Sequence, residues 1–292
     1  MQIDYALILA AGLGTRMGDI GKILPKPLWP IFNKSLLELQ IQFCYSLGIK
    51  KIYINSYFLS DKIQAFVKGK KEYSDIKVLV EDPLLDSGGA IHNLASRGEV
   101  LYSGNLLLVN ADQFMFFDKK YYVDGLNALE DSRASLFGIK VAKHSKYNEV
   151  VTESNRLVNI VKPSGKVDFV TYSGLGVLKL DGLEPVAGIS KFFETVANYK
   201  NEKINIITPN KFEYWDFGTS SVYLESIKNI YQNSQIGKES QLINFLNENG
   251  VDTLESKTFF SLDLNSIDLQ FQGRFFKNRL IYDSIKQEVA ID

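Results

Sequence analysis

Two kinds of residue in this chain are set to handle phosphate: basic side chains around a glycine loop, and a carboxylate at the end of an apolar run. The stretch LILAAGLGTRMGDIGKILPKPLWP, residues 7–30, passes from an apolar run through small residues and glycines. It then presents Arg16 and Lys26 before the next hydrophobic segment. Gly12 and Gly14 permit positive φ and a close approach of backbone N–H groups to an anion. Arg16 can hold phosphate oxygens bidentately, and Lys26, fixed between Pro25 and Pro27, adds a point charge. A solvated basic loop is the plain alternative. The loop departs from the dinucleotide fingerprint, because Met17 stands where the third glycine belongs, and from the P-loop, because no Gly-Lys-Ser/Thr follows. Asp112 follows the apolar run LLLVN, where the carboxyl end of a strand would point it into the ligand crevice of an α/β sheet. A turn or helix cap is the plain reading of Asp112, and Asp118 and Asp86 are lesser carboxylate candidates.

Strands and helices must present these groups. Short β-branched or leucine-rich runs at 6–10, 51–55, 76–80 and 106–109 alternate with helical patterns at about 35–47, 61–70, 89–96 and 120–130. That order predicts an α/β fold with a Rossmann-like, mostly parallel sheet, right-handed crossovers and helices on both faces. From about residue 135 shorter strands follow (SLFGIKV, NEVVT, RLVNIV, GLGVLKL), then helices near 190–198, 221–232 and 240–249. Residues 1–231 are expected to form the catalytic domain. Residues 232–292 are expected to form a small C-terminal extension, ending in a stretch that reads as β or irregular. No repeat and no Pro- or Ser-rich linker is present.

Composition narrows the classes of function. A chain of 292 residues, 45% hydrophobic, can bury a sizeable core. With 33 basic against 34 acidic residues the net charge is -1, so neither nucleic acid nor an anionic membrane is an expected partner. The single cysteine, Cys44 in LLELQIQFCYSLG, excludes a disulfide framework and reads as a buried structural thiol. The N-terminus MQIDYALILAAG lacks a basic region ahead of a long apolar core, and no run approaches the ~18 apolar residues of a membrane span. A cytoplasmic location is expected. The two histidines, His92 and His144, read as structural or surface residues.

Four segments in order resemble the signatures of the sugar-1-phosphate nucleotidyltransferases. They are AAGLGTRM followed by PKP, then EDPLLDSGGAI with Ser87 where threonine is usual, then LLVNADQF, and finally EYWDFGTS with Tyr214 in the usual tryptophan position. The spacing is nearest to the compact bacterial enzymes acting on N-acetylmuramate, heptose or mannose 1-phosphates. The resemblance implies the nucleotide-diphospho-sugar transferase fold. It also implies transfer of a nucleotidyl group from an NTP to a sugar-1-phosphate with Mg2+ as cofactor, in nucleotide-sugar synthesis for the cell envelope.

The resemblance also distributes roles. Arg16 and Lys26 would hold the triphosphate, and Asp112 and Asp216 the metal, since magnesium prefers a pair of hard carboxylates completed by phosphate and water. Ala11, Gly12, Gly14, Thr15, Glu81, Gly88 and Gly89 would line the nucleotide. Asn110, Lys162 and Gly174 would meet the sugar phosphate. Each of these last assignments has its plain counterpart: a solvated strand end for Glu81 and Lys162, a helix N-terminal turn for Gly88-Gly89, a β-bulge for Gly174. Val161 stands where the family places a glutamate that holds sugar hydroxyls.

The chemistry suits this residue set. A phosphate monoester has its second pKa near about 6, so the nucleophile is already anionic and no general base is required. Repulsion between anions is the barrier, and cations with fixed positions lower it. UTP is expected ahead of GTP, and no oligomeric state follows from the sequence. The rivals are a non-catalytic nucleotide-sugar-binding protein, a cytidylyltransferase acting on a non-sugar phosphate, and a nicotinamide-dependent oxidoreductase. The last is disfavoured by Met17 and by Asn55, which ends the second strand where an acidic residue is needed.

Overall fold

Alternation along the first strand decides the architecture. In β1 (Tyr5–Leu9), Ala6 and Ile8 enter one core while Tyr5 and Leu7 enter another, so the strand is covered on both faces and reads as an unbroken apolar run. The computed structural model describes residues 2–17, 20–32 and 34–251. Beyond them it describes the backbone of five short strands, Phe259–Ser261, Gln270–Phe271, Arg274–Phe275, Leu280–Asp283 and Glu288–Ile291.

β1 is parallel to β2 (Ile52–Ser56), which is parallel to β3 (Lys77–Val80); on its other side β1 is parallel to β4 (Asn105–Asn110). β5 (Gln113–Phe117) leaves the sheet after a two-residue turn. β6 (Ala134–Val141), β7 (Glu149–Glu153), β8 (Arg156–Val161), β9 (Phe169–Lys179) and β10 (Ile204–Ile207) complete a nine-stranded sheet of order β3-β2-β1-β4-β9-β6-β10-β8-β7. Within it only β8 and β9 run against the rest, so the sheet is mostly parallel, as expected. β11 (Phe212–Asp216) pairs with β5 in a separate antiparallel ribbon.

Helices α1 (Leu36–Ser46), α2 (Ser60–Lys68), α3 (Asp86–Ala95), α4 (Lys120–Ala128), α5 (Phe192–Thr195), α6 (Ser220–Gln235) and α7 (Gln241–Glu248) cover both faces. α1, α2, α4, α6 and α7 share a core with Ile8, and α3 and α5 share one with Leu7. α1 begins where expected because Ser35 caps it, its Oγ accepting from the Glu38 amide at 3.1 Å. The helix expected over 190–198 is reduced to α5, which ends before the β-branched Val196, itself fully buried.

The core continues past residue 231. α6 runs unbroken through 231 and 232, and α7 places Leu242, Phe245 and Leu246 in the same core as Ile8. An apolar face of this kind needs a core to cover it, and α7 and Val251 join the core that contains Ile8. The stretch expected to be β or irregular lies outside the described residues apart from its short strands. Cys44 is fully buried and burial pushes its thiol up to about 12, so it is an unreactive packing residue as expected. Among the described residues no helix is long and apolar enough to cross a membrane.

Candidate active site

The glycine loop leaves β1 at the carboxyl end of the sheet. Its first amide is fixed from below: Ala10 N donates to Asn55 Oδ1 at 2.7 Å, and Ala11 is buried. Gly12 faces open space. Gly14 has φ +65°, a conformation only glycine adopts freely, and a Cβ there would also press on the Gly21 carbonyl at 3.3 Å. Thr15 and Arg16 are exposed on the short turn that follows.

Lys26 opens a 3-10 turn between two buried prolines. The Trp29–Pro30 segment that follows it is braced by α6, where the Tyr223 ring meets Trp29 edge-on at 5.0 Å and the Tyr223 hydroxyl donates to the Pro30 carbonyl. From this base the Lys26 ammonium forms an ion pair with Asp112, the two side chains being 16% and 13% exposed.

The two carboxylates come together through the β5/β11 ribbon. Asp216 pairs with Gln113 in its register, and Phe217 N donates to the Asp112 carbonyl at 2.9 Å. A Cβ built on Gly218 would lie 2.8 Å from Asp216 Oδ1 and 3.4 Å from Asp112 Oδ2, so both carboxylates converge on the space beside one glycine. Gly218 N donates to Asp216 Oδ1 at 2.7 Å, and the Tyr147 hydroxyl donates to Asp216 Oδ2. Burial, then the hydrogen bond to Asp216, raises the Tyr147 pKa, so this group stays a donor. Tyr214, beside it, is raised by burial first and then by the Asp216 charge.

This donor set fits magnesium. It offers hard carboxylate oxygens held from several sides and leaves coordination sites for phosphate and water. Among the described residues no cluster of three or more His, Cys, Asp or Glu side chains competes with it for a metal.

The residues expected at the nucleobase end are placed differently. Gly88 and Gly89 are buried: a Cβ on Gly88 would lie 2.6 Å from the Ser190 carbonyl, and one on Gly89 2.5 Å from the Gly188 carbonyl. Glycine is needed there because α3 packs backbone to backbone on the 188–191 segment, with Gly89 N donating to Ser190 O at 3.0 Å. Glu81 is neither a solvated strand end nor open to a ligand. It is 3% exposed, and its oxygens accept from Asn55 Nδ2 at 2.7 Å and Leu85 N at 2.9 Å. A relay Glu81–Asn55–Ala10 thus ties the segment before α3 to the start of the glycine loop.

Burial raises the Glu81 pKa from its ordinary 4.5, against the lowering effect of its two hydrogen bonds. A carboxyl that ionises less readily when folded takes up a proton on folding. Its contribution to stability is greatest at and below pH 4.5 and is lost as pH rises through the raised value. Glu81→Gln, which cannot titrate, is expected to flatten the thermal midpoint against pH from 4.5 upward. Parallel curves for the two proteins would show that Glu81 ionises no differently when folded.

Of the residues expected to meet the sugar phosphate, Asn110 and Gly174 are brought together. Gly174 has φ +86°, and a Cβ there would lie 2.2 Å from Asn110 Nδ2 and 2.4 Å from Gln113 Oε1. Asn110 Nδ2 donates to Gln113 Oε1 at 2.6 Å. Beside them opens a cavity of about 380 Å³ walled by Leu9, Leu108, Tyr172, Phe192 and Phe193, with Asp86, Ser87, Lys191 and Glu194 also lining it. Lys162 is exposed just past β8, whose last residue Val161 pairs with Glu149, two residues beyond Tyr147. His92 is buried, its Nδ1 lying 3.2 Å from the Tyr102 hydroxyl, and His144 is exposed.

Sequence reasoning missed Tyr147 and the β5/β11 ribbon, and it placed Tyr214 in a motif without giving it a role. The ribbon left a signal in QFMFF and FEYWD, two aromatic-rich strand-like runs. Tyr147 left none, because its partner is 69 residues away.

Comparison with known proteins identifies the family. Residues 5–232 match the family model described as nucleotidyl transferase. A Campylobacter jejuni protein named D-glycero-alpha-D-manno-heptose 1-phosphate guanylyltransferase is 27% identical over 202 residues, 68% of this chain and 87% of that one. The N-acetylmuramate alpha-1-phosphate uridylyltransferase of Caulobacter vibrioides is 24% identical over 185 residues, 60% of this chain and 74% of that one. Against relatives from Sulfolobus acidocaldarius and Aneurinibacillus thermoaerophilus the chain spans 51% and 65% of their lengths. The crystal structure of HddC from Yersinia pseudotuberculosis, complexed with GMP-PN, superposes with a TM-score of 0.64. The superposition covers 78% of this chain and 99% of that one at 21% identity, a likeness of fold. With the family match running from β1 into α6, the chain belongs to the nucleotidyl transferase family.

Proposed function

We propose that this protein joins an NTP to a sugar-1-phosphate, forming an NDP-sugar and pyrophosphate with magnesium. The observation that carries this reading is the convergence of Asp112 and Asp216 beside Gly218, with Lys26 on one carboxylate and Tyr147 on the other. In this reading Arg16 and Lys26 receive the triphosphate over the amides of the glycine loop, and Lys162 receives the phosphate of the acceptor. The attacking oxygen is already anionic, so the protein's task is to hold two anions in line and offset their charge. When bound to Asp112 and Asp216, magnesium would supply the largest share of that charge compensation. Tyr147 and Gly218 keep the Asp216 carboxylate oriented without removing its charge. Arg16, Lys26, Asp112 and Asp216 are all present, which disfavours a non-catalytic binding protein on this fold.

UTP is the first donor to test and GTP the second, since relatives carry either name. The apolar, aromatic wall of the 380 Å³ cavity, together with Val161, favours as a second reading a cytidylyl transfer to a non-sugar phosphate with few hydroxyls. Pyrophosphate release from UTP, GTP, dTTP and CTP separates these readings. The acceptors are hexose, N-acetylhexosamine, N-acetylmuramate and heptose 1-phosphates and a phosphorylated amino alcohol. Release that needs one NTP and one sugar phosphate is the expected result. Release only with CTP and the amino alcohol phosphate selects the second reading, and stabilisation by an NTP without release selects the binding protein.

A further inference from the structure

Asp112 sits in the two-residue turn Ala111–Asp112 between β4 and β5, and that turn is pinned along its backbone. Ala111 N donates to the Leu9 carbonyl at 3.1 Å, and the Asp112 carbonyl accepts from Phe217 at 2.9 Å. The residues on either side are both held by one side chain. Gln40 of α1, 1% exposed, directs Nε2 to the Asn110 carbonyl at 3.0 Å and to the Gln113 carbonyl at 2.5 Å. A primary amide has two N–H donors, so one group can serve both carbonyls. The opposite amide orientation would set oxygen against two carbonyl oxygens, so the hydrogen bonds fix the orientation. Among the described residues, Gln40 Oε1 is buried with no hydrogen-bond partner, so holding the turn leaves a polar atom unsatisfied.

We infer that Gln40 is a positioning residue for the metal carboxylate. It clamps the ends of the Asn110–Gln113 turn and thereby sets where Asp112 can reach. α1 is tied back to the 3-10 turn that carries Lys26: Leu36 N donates to the Trp29 carbonyl at 2.8 Å, and Trp29 N donates to the Lys26 carbonyl at 2.9 Å. One rigid helix therefore fixes the ammonium and the carboxylate of the Lys26–Asp112 pair relative to each other. Gln40 touches neither substrate nor metal and acts only through the turn. The inference rests on the reading of Asp112 as a metal ligand.

The test is the binding of Mn2+, as a paramagnetic stand-in for magnesium, followed by electron paramagnetic resonance. The proteins compared are the parent, Gln40→Met, Gln40→Glu and Asp112→Asn, each with its thermal midpoint. Methionine keeps the length and volume of glutamine without its donors. Residues that orient a ligand from behind typically contribute about 10–100-fold in metal affinity. Both Gln40 variants are expected to weaken Mn2+ binding by about that factor and to raise the magnesium concentration for half-maximal turnover, with the KM for the acceptor unchanged. A folded Gln40→Met protein that binds Mn2+ like the parent overturns the inference while leaving the metal reading intact. If Asp112→Asn binds Mn2+ as well as the parent does, the metal reading itself fails. Should Gln40→Met unfold, Gln40→Glu decides by the same comparison.

Discussion

Asp112→Asn should lower kcat/KM for pyrophosphate release by about 10²-fold or more, the usual cost of removing one electrostatic partner of a transition state. Asparagine has nearly the same shape, so the loss would report charge rather than volume. The fold should survive, because the turn is held through main-chain groups: the Ala111 amide to Leu9, the Asp112 carbonyl to Phe217, and the flanking carbonyls to Gln40. Among the described residues, only the ion pair with Lys26 involves the side chain. The pair is mostly buried, so removing its carboxylate charge also carries a stability cost from the Lys26 ammonium left behind. Thermal unfolding measured beside activity separates the two contributions. Turnover within about tenfold of the parent would remove Asp112 from the chemistry.

What could be seen in the sequence divides along a physical line. The four leading strands and their helices were legible because each buries an apolar pattern locally, and Ser35 announced the start of α1. The glycine loop and the Pro-Lys-Pro corner were legible because backbone requirements restrict residue type: Gly14 at φ +65° and Lys26 between buried prolines are imposed at the positions themselves. The approach of Asp216 to Asp112 was available only by resemblance, because the ribbon that joins them pairs strands about a hundred residues apart.

The Gly88-Gly89 pair gave a less reliable signal than the glycine loop. Gly88 and Gly89 suggested an open approach to a flat ring, yet the same absence of Cβ serves backbone packing of α3 on residues 188–191. Glu81 misled for a related reason. A carboxylate after a strand reads as solvated or functional, whereas here the Asn55 amide and the Leu85 N–H replace its water. Tyr147 was invisible, since a lone tyrosine before a strand carries no pattern of its own.

Gly218 offers the sharper steric test of the paired carboxylates. It carries no positive φ, so alanine is conformationally permitted, and the effect of Gly218→Ala would come from the methyl group alone. That methyl would sit 2.8 Å from Asp216 Oδ1, closer than real Cβ contacts come, and 3.4 Å from Asp112 Oδ2. Asp216 cannot yield freely, because Oδ1 accepts from Gly218 N at 2.7 Å and Oδ2 accepts from Tyr147. Rotating the carboxylate away from the methyl breaks one of these bonds and moves the oxygen that faces Asp112. Misplacement of a catalytic group by about 1 Å can cost about 10²-fold in rate, and Gly218→Ala is expected to lose activity on that scale. Mn2+ affinity should fall with it, while the thermal midpoint stays near the parent's. Gly98→Ala, where a Cβ meets nothing within 4 Å, serves as the silent control. If Gly218→Ala matches that control in both activity and Mn2+ binding, the space between the two carboxylates is not where the metal sits.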